Sequence, residues 1–124
     1  MTIMKQDLAI TMLTRATIAT ALLALVLPNA TFASTTTAAI REVLITESHV
    51  YVYPVANIVG APGCHGSNGN YYSFLLTRQR SKEYLAALLS AQAQGAIVRL
   101  YGAGNCDDQP NVSERLEYLS IISQ

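Results

Sequence analysis

The chain has 124 residues, 51% hydrophobic and only 13% charged, and its eight basic and eight acidic side chains cancel to a formal net charge of +0. That balance excludes a nucleic-acid binder, which needs a basic face to displace phosphate counterions, and a polybasic membrane-surface protein.

The first 33 residues read as a secretory signal rather than as part of a fold. Lys5 and Arg15 supply positive charge, and Ala16 to Leu27 is an uncharged apolar run that Pro28 breaks. Thr31-Phe32-Ala33 then places small residues at the two positions a signal peptidase inspects. The run is too short for a membrane anchor, because crossing roughly 30 Å of hydrocarbon takes about 20 residues. It has no polar face, so it does not read as an amphipathic core helix either. Cleavage is expected after Ala33, with Met12 an alternative start that still leaves a compact signal. An exported product, periplasmic or extracellular, follows.

Residues 34–124 are enough for one domain. They carry Arg41, Arg78, Arg80, Lys82, Arg99 and Arg115 against Glu42, Glu47, Glu83, Asp107, Asp108, Glu114 and Glu117, a nearly neutral set. A domain of this size hides only about two-thirds of its unfolded surface, so its core is marginal without help. Cys64 and Cys106 are its two cysteines. Export to an oxidising compartment makes a single disulfide between them the economical reading. Closing that loop is worth about 4 kcal/mol on the chain-entropy model.

Ser34 to Ala39 (STTTAA) is small and polar and reads as a loose leader, leaving 40–124 as the folded domain. Ile40 to Thr46, rich in β-branched residues, is the first expected strand. His49 to Val55 alternates, with Val50 and Val52 on one face and Tyr51 and Tyr53 on the other. Tyr71 to Thr77 puts Tyr72, Phe74 and Leu76 together. A helix follows, with Ser81 as N-cap, Glu83 in the first turn where the dipole favours an anion, and Leu85, Leu88, Leu89 and Gln92 at helical spacing. Gly95 ends it as a left-handed glycine. Ala96 to Gly102 sets Val98 and Leu100 opposite Arg99 and Tyr101, and Leu116 to Ile122 closes the chain with Leu119 and Ile121 on one face. The two long loops, Asn57–Asn70 and Gly102–Glu114, carry one cysteine each, so the disulfide is expected to tie the entry of strand three to the exit of strand four.

Three strands, a helix and two strands is the order of the five-stranded oligonucleotide/oligosaccharide-binding (OB) barrel: mainly β with one helix, β-β-β-α-β-β. Tyr71-Tyr72-Ser73-Phe74, Tyr84-Leu85-Ala86-Ala87-Leu88-Leu89, Gly95-Ala96-Ile97-Val98-Arg99-Leu100-Tyr101-Gly102 with Cys106, and Glu117-Tyr118-Leu119-Ser120-Ile121 resemble small secreted proteins akin to the subtilase cytotoxin B subunit. The likeness covers roughly residues 40–122. It implies pentameric glycan-binding delivery subunits, as in the toxin members, or stand-alone secreted proteins, as in many others. The region Thr37-Ala38-Ala39-Ile40-Arg41 has no counterpart of the toxins' sugar-contacting residues, so those do not transfer.

No catalytic set emerges, and neither a metal nor any other cofactor is expected. Neither Cys64-His65 nor Cys106-Asp107 belongs to a C-x-x-C pair of the kind that closes a zinc tetrahedron, and a disulfide removes the thiolate that metal binding or nucleophilic attack needs. His49 and His65 read as exposed loop or strand-end residues. Gly60-Ala61-Pro62-Gly63-Cys64-His65-Gly66 lacks the lysine and following helix of a P-loop. The carboxylates occur singly, without the pairing that acid–base chemistry needs. Asn111-Val112-Ser113 fits a glycosylation acceptor pattern that means little in the bacterial-type product that the signal segment suggests.

Aromatic residues carry the functional expectation. Seven tyrosines and no tryptophan is a high count. Tyr51, Tyr53 and Tyr101 are expected opposite the core faces, where a flat ring with a hydroxyl suits sugar stacking or a subunit interface. Bracing of cross-strand neighbours is the equal alternative. Arg99, on the same face as Tyr101, is a bidentate donor for a sugar carboxylate or an ion-pair partner for Glu117 or Glu42. The expected ligands of Tyr51, Tyr53, Arg99 and Tyr101 are a glycan or a protein partner, including further copies of the chain in a homo-oligomer.

Overall fold

The computed structural model describes residues 32–66 and 69–122. Apart from Phe32 and Ala33, the expected signal segment lies outside the described residues. Within them no helix is long and apolar enough to cross a membrane.

Five strands and one helix form in the expected order: β1 (Thr35–Ile45), β2 (His49–Pro54), β3 (Tyr72–Leu75), α1 (Ser81–Gln94), β4 (Ile97–Gly102) and β5 (Leu116–Ile122). The strands make one sheet, ordered β3-β2-β1-β4-β5, with every ladder antiparallel. β1 serves both halves. Its first part, Thr35 to Ala39, pairs with β4, and its second part, Ile40 to Ile45, pairs with β2. A bulge at Arg41 separates them, the register passing from Ile40↔Pro54 to Glu42↔Tyr53. The extra residue shifts the strand's parity, so that Val43 rather than Glu42 follows Ile40 against the core.

Ser34 to Ala39 is therefore not a leader. Thr35 to Ala39 are strand residues, and Thr36 is buried with its Oγ1 2.9 Å from the Tyr72 hydroxyl. β-branched threonines suit a pleated ladder once a partner strand is present, and that partner, Ile97 to Tyr101, lies far along the chain.

Alternation places the core as expected on β2 and β4. Val50, Val52, Val98 and Leu100 are fully buried with Tyr72, Phe74, Leu88 and Leu116. α1 covers this face through Leu88 and Ala91, with Tyr84 and Leu85 at the margin. Leu89 is 43% exposed and Ile121 47%, so neither joins the apolar stripe expected of it. The helix start also differs. Arg80 occupies the N-cap in the left-handed region at φ 64°, with no side-chain cap, while Ser81 enters the first turn and donates its hydroxyl to the Leu76 carbonyl at 2.6 Å. A nearby acceptor takes the serine away from capping. Gly95 ends the helix at φ 63°, as its lack of a Cβ permits.

The sheet does not close into the expected barrel. Between β3 and β5 there is a single parallel bridge, Ser73↔Arg115. β3 is only four residues long, and β5 begins just beyond the bridge, so no ladder can extend. Side chains fill the seam instead. The Ser73 and Ser113 hydroxyls lie 2.5 Å apart, and Asp108 accepts the Leu75 amide at 3.0 Å. Arg78 donates to the Leu116 carbonyl and, at 2.8 Å, to that of Glu117. Cys64 and Cys106 are joined as expected, with Cα atoms 6.1 Å apart, inside the usual bridging range.

Candidate functional site

The outer face of β2 carries an aromatic row. Because Val50 and Val52 point inward, His49, Tyr51 and Tyr53 point outward, and pairing with β3 brings Tyr71 beside them. The His49 and Tyr51 rings stack at 5.8 Å, the Tyr51 and Tyr71 rings meet edge-on at 5.3 Å, and those of Tyr53 and Tyr71 lie tilted at 5.0 Å. The Arg41 guanidinium, projecting from the bulge, stands 5.4 Å from the centre of the Tyr53 ring. These rings are half-buried.

The row divides into a fixed end and a free end. The His49 Nε2 sits 2.8 Å from the Asp108 carbonyl, which can only accept, so Nε2 carries the proton and Nδ1 takes the Ser48 hydroxyl at 2.7 Å. Gln109 donates to the Tyr51 hydroxyl at 3.2 Å. Both residues thus anchor the loop that bears Cys106. The hydroxyls of Tyr53 and Tyr71 have no hydrogen-bond partner among the described residues. Partial burial raises the pKa of each phenol above its ordinary value, with Glu42 adding to the effect at Tyr53 and the neighbouring phenols at Tyr71, so both remain neutral donors at pH 7. Tyr71 lies against Gly69, where any Cβ would come within 2.1 Å of the ring.

A second patch lies on the other half of the sheet. Tyr101 and Tyr118 stack at 4.2 Å across the β4–β5 ladder, and Tyr118 is 49% exposed. Arg99 reaches the Thr37 hydroxyl at 3.4 Å and the Tyr101 hydroxyl at 3.5 Å, and so belongs to this patch. Arg115, not Arg99, is the partner of Glu117, at 2.8 Å. The four expected residues therefore split into two sites. Tyr51 and Tyr53 lie on β2 opposite the later part of β1, whereas Arg99 and Tyr101 lie on β4 opposite its earlier part. Their ring and hydrogen-bond contacts stay within each patch.

Tyr71, Arg41 and Tyr118 were not singled out in the sequence. Tyr71 already opens the expected third strand, on the face opposite Tyr72 and Phe74, but its alignment with Tyr51 and Tyr53 needs the β2–β3 register. His65 is also a structural residue rather than a free one, its Nδ1 accepting the Glu114 backbone N–H at 2.9 Å. A wide, open depression over the disulfide, edged by Pro62, Gly63, Pro110 and Asn111, brings no acid–base pair together. Among the described residues there is no group of three or more His, Cys, Asp and Glu side chains placed to hold a metal.

No protein-family model, curated protein or solved structure matches this chain.

Proposed function

We propose that this chain is an exported, non-enzymatic binding module, akin to toxin B subunits, that takes a glycan on the free end of the β2–β3 aromatic row. The observation that carries the reading is the pair Tyr53 and Tyr71. Their two rings, 5.0 Å apart and beside a cation, hold hydroxyls that no group among the described residues occupies. Flat apolar rings stack on the C–H faces of a sugar, while free phenols and a guanidinium satisfy its hydroxyls or a carboxylate. Tyr51 contributes a ring edge to the same row. The disulfide and the small-residue exit at Ala33 are consistent with delivery to the periplasm or the medium.

A second reading, a stand-alone interaction or inhibitor protein without a sugar site, draws on the other half of the sheet. β5 is an edge strand beyond Glu117, with Tyr118 and Ile121 nearly half exposed, and Arg99 and Tyr101 flank it. Such an edge can accept a partner's strand or a second copy of the chain.

A glycan array, read beside sedimentation of the processed protein, separates the two. Retention of a sugar that Tyr53→Ala and Tyr71→Ala both abolish, and Tyr118→Ala leaves intact, is the expected result. A strict monomer that retains no glycan would overturn the first reading. Self-association or partner capture lost in Tyr118→Ala would establish the second in its place.

A further inference from the structure

Glu114 is fully buried, yet its carboxylate meets no basic side chain among the described residues. It lies against Gly102, where any Cβ would come within 2.0 Å of Oε2, so the glycine makes the space it occupies. Its partners are the Gly104 amide at 2.8 Å, the Ser34 hydroxyl, and the Ser34 backbone nitrogen at 3.2 Å. Ser34 is itself only 3% exposed, and its hydroxyl also lies 2.7 Å from that of Tyr72. Ala33, one residue earlier, is already exposed. A buried carboxylate bound only by neutral donors is costly, because desolvating an ion is repaid well only by an opposite charge.

The cleavage expected after Ala33 creates such a charge beside Glu114. Cleavage after Ala33 hydrolyses the Ala33–Ser34 peptide bond. One water is consumed, Ala33 leaves with a new carboxylate, and the Ser34 nitrogen becomes a primary ammonium at a position the fold already holds. We propose that buried Glu114 is the docking site for the processed N-terminus, binding the Ser34 ammonium as a charge-assisted ion pair formed only on removal of the signal segment.

The inference rests on the cleavage expected after Ala33, but not on any ligand of the tyrosine row. Gly102 donates its amide to the Ser34 carbonyl at 2.8 Å, and β1 begins at the next residue, so the ammonium is held in place by the β1–β4 ladder rather than by Glu114 alone. The site is thus prepared by residues 102, 104 and 114 before the charge arrives. The unprocessed chain supplies only an amide N–H there and must lead its backbone out past Gly104, whose Cβ position lies 3.4 Å from the Ala33 nitrogen.

Periodate supplies the test, because it cleaves the Cα–Cβ bond of an N-terminal serine only when amine and hydroxyl are both free. Here both contact Glu114. The full chain is expressed with export, and the processed protein is weighed by intact mass spectrometry. It is then exposed to periodate at pH 7, folded and in denaturant. The expected product begins at Ser34 and is oxidised on the order of 100-fold more slowly folded than unfolded, since reaction must await local opening. Glu114→Gln, folded by circular dichroism, loses most of that protection.

Equal rates in a protein beginning at Ser34 overturn the capture while leaving the cleavage reading intact. A different first residue overturns both. Protection that survives in folded Glu114→Gln removes Glu114 from the account. Should that variant not fold, nitrogen-15 spectra of the wild-type protein decide. A slowly exchanging Ser34 ammonium coupled to the Glu114 carboxyl carbon supports capture, and its absence overturns it.

Discussion

The two ways this sheet holds itself together differ in kind. Around β1, neighbouring strands are joined by continuous backbone ladders, Ile40 to Ile45 with β2 and Thr35 to Ala39 with β4. At the β3–β5 seam one bridge remains, and the join is made by Ser73, Asp108, Arg78, Ser113 and the disulfide-tied loops. A ladder depends on backbone groups that every residue but proline supplies. The seam depends on particular side chains, so single substitutions should open it without disturbing the ladders.

The largest expected effect is on the seam. Replacing Cys64 and Cys106 together by serine should cost about 4 kcal/mol on the chain-entropy model. Urea unfolding reads the loss, and hydrogen exchange should show loops 57–70 and 103–115 opening while the β1–β2 amides stay protected. Leu100→Ala tests the other side. Leu100 is fully buried on β4, and its truncation should cost about 3 kcal/mol and lower protection throughout the sheet rather than at the seam. A seam-only response would break the comparison.

Arg78→Met sharpens it. The variant removes the donors to the Leu116 and Glu117 carbonyls together with the guanidinium that stands 5.1 Å from the centre of the Tyr84 ring. A loss of about 1–2 kcal/mol is expected, with exchange rising at the start of β5. Tyr72 connects both regions, since it pairs with β2 and its hydroxyl reaches Thr36 of β1. Burial raises its pKa first of all, with the charge of Glu114 adding and the bonds from Ser34 and Thr36 opposing. The unfolded chain therefore releases this proton near pH 10 while the folded chain retains it, so stability falls as pH rises above 10. Absorbance near 295 nm should show one tyrosine ionising only as the protein unfolds. The smallest expected effect on stability is that of Tyr53→Ala, about 0.5–1 kcal/mol for lost outer-face packing. A much larger loss would make the aromatic row a brace rather than a binding surface.

What the sequence made legible follows the same division. β2 and β4 could be read almost residue by residue, because alternation of Val, Leu and Tyr is a local signal of which face is inside. β5 was legible in its bounds but not in its faces, Ile121 being 47% exposed. The Cys64–Cys106 bond was legible from the cysteine count together with the expectation of export. The role of Thr35 to Ala39 was not, since small polar residues reveal a strand only through a partner some 60 residues away. Closure of the barrel was not legible either. It depends on where β3 stops and β5 starts, which is set by Arg78 and Asp108 taking backbone partners that no local pattern announces. For the candidate site, residue type and face were readable at Tyr51, Tyr53, Arg99 and Tyr101. Their division into two patches was not, because the Arg41 bulge assigns β2 and β4 to different stretches of one strand.

That shared strand has a consequence for the order in which the molecule can be assembled. Thr35 pairs with Tyr101 and Ala39 with Ile97, so a nascent chain ending before Ile97 contains no mate for the opening of β1. Non-local pairings of this span form late. During synthesis the first stretch of β1 therefore stays unpaired until nearly everything else has followed, which on the proposed export route would leave the Ala33–Ser34 bond open to a peptidase.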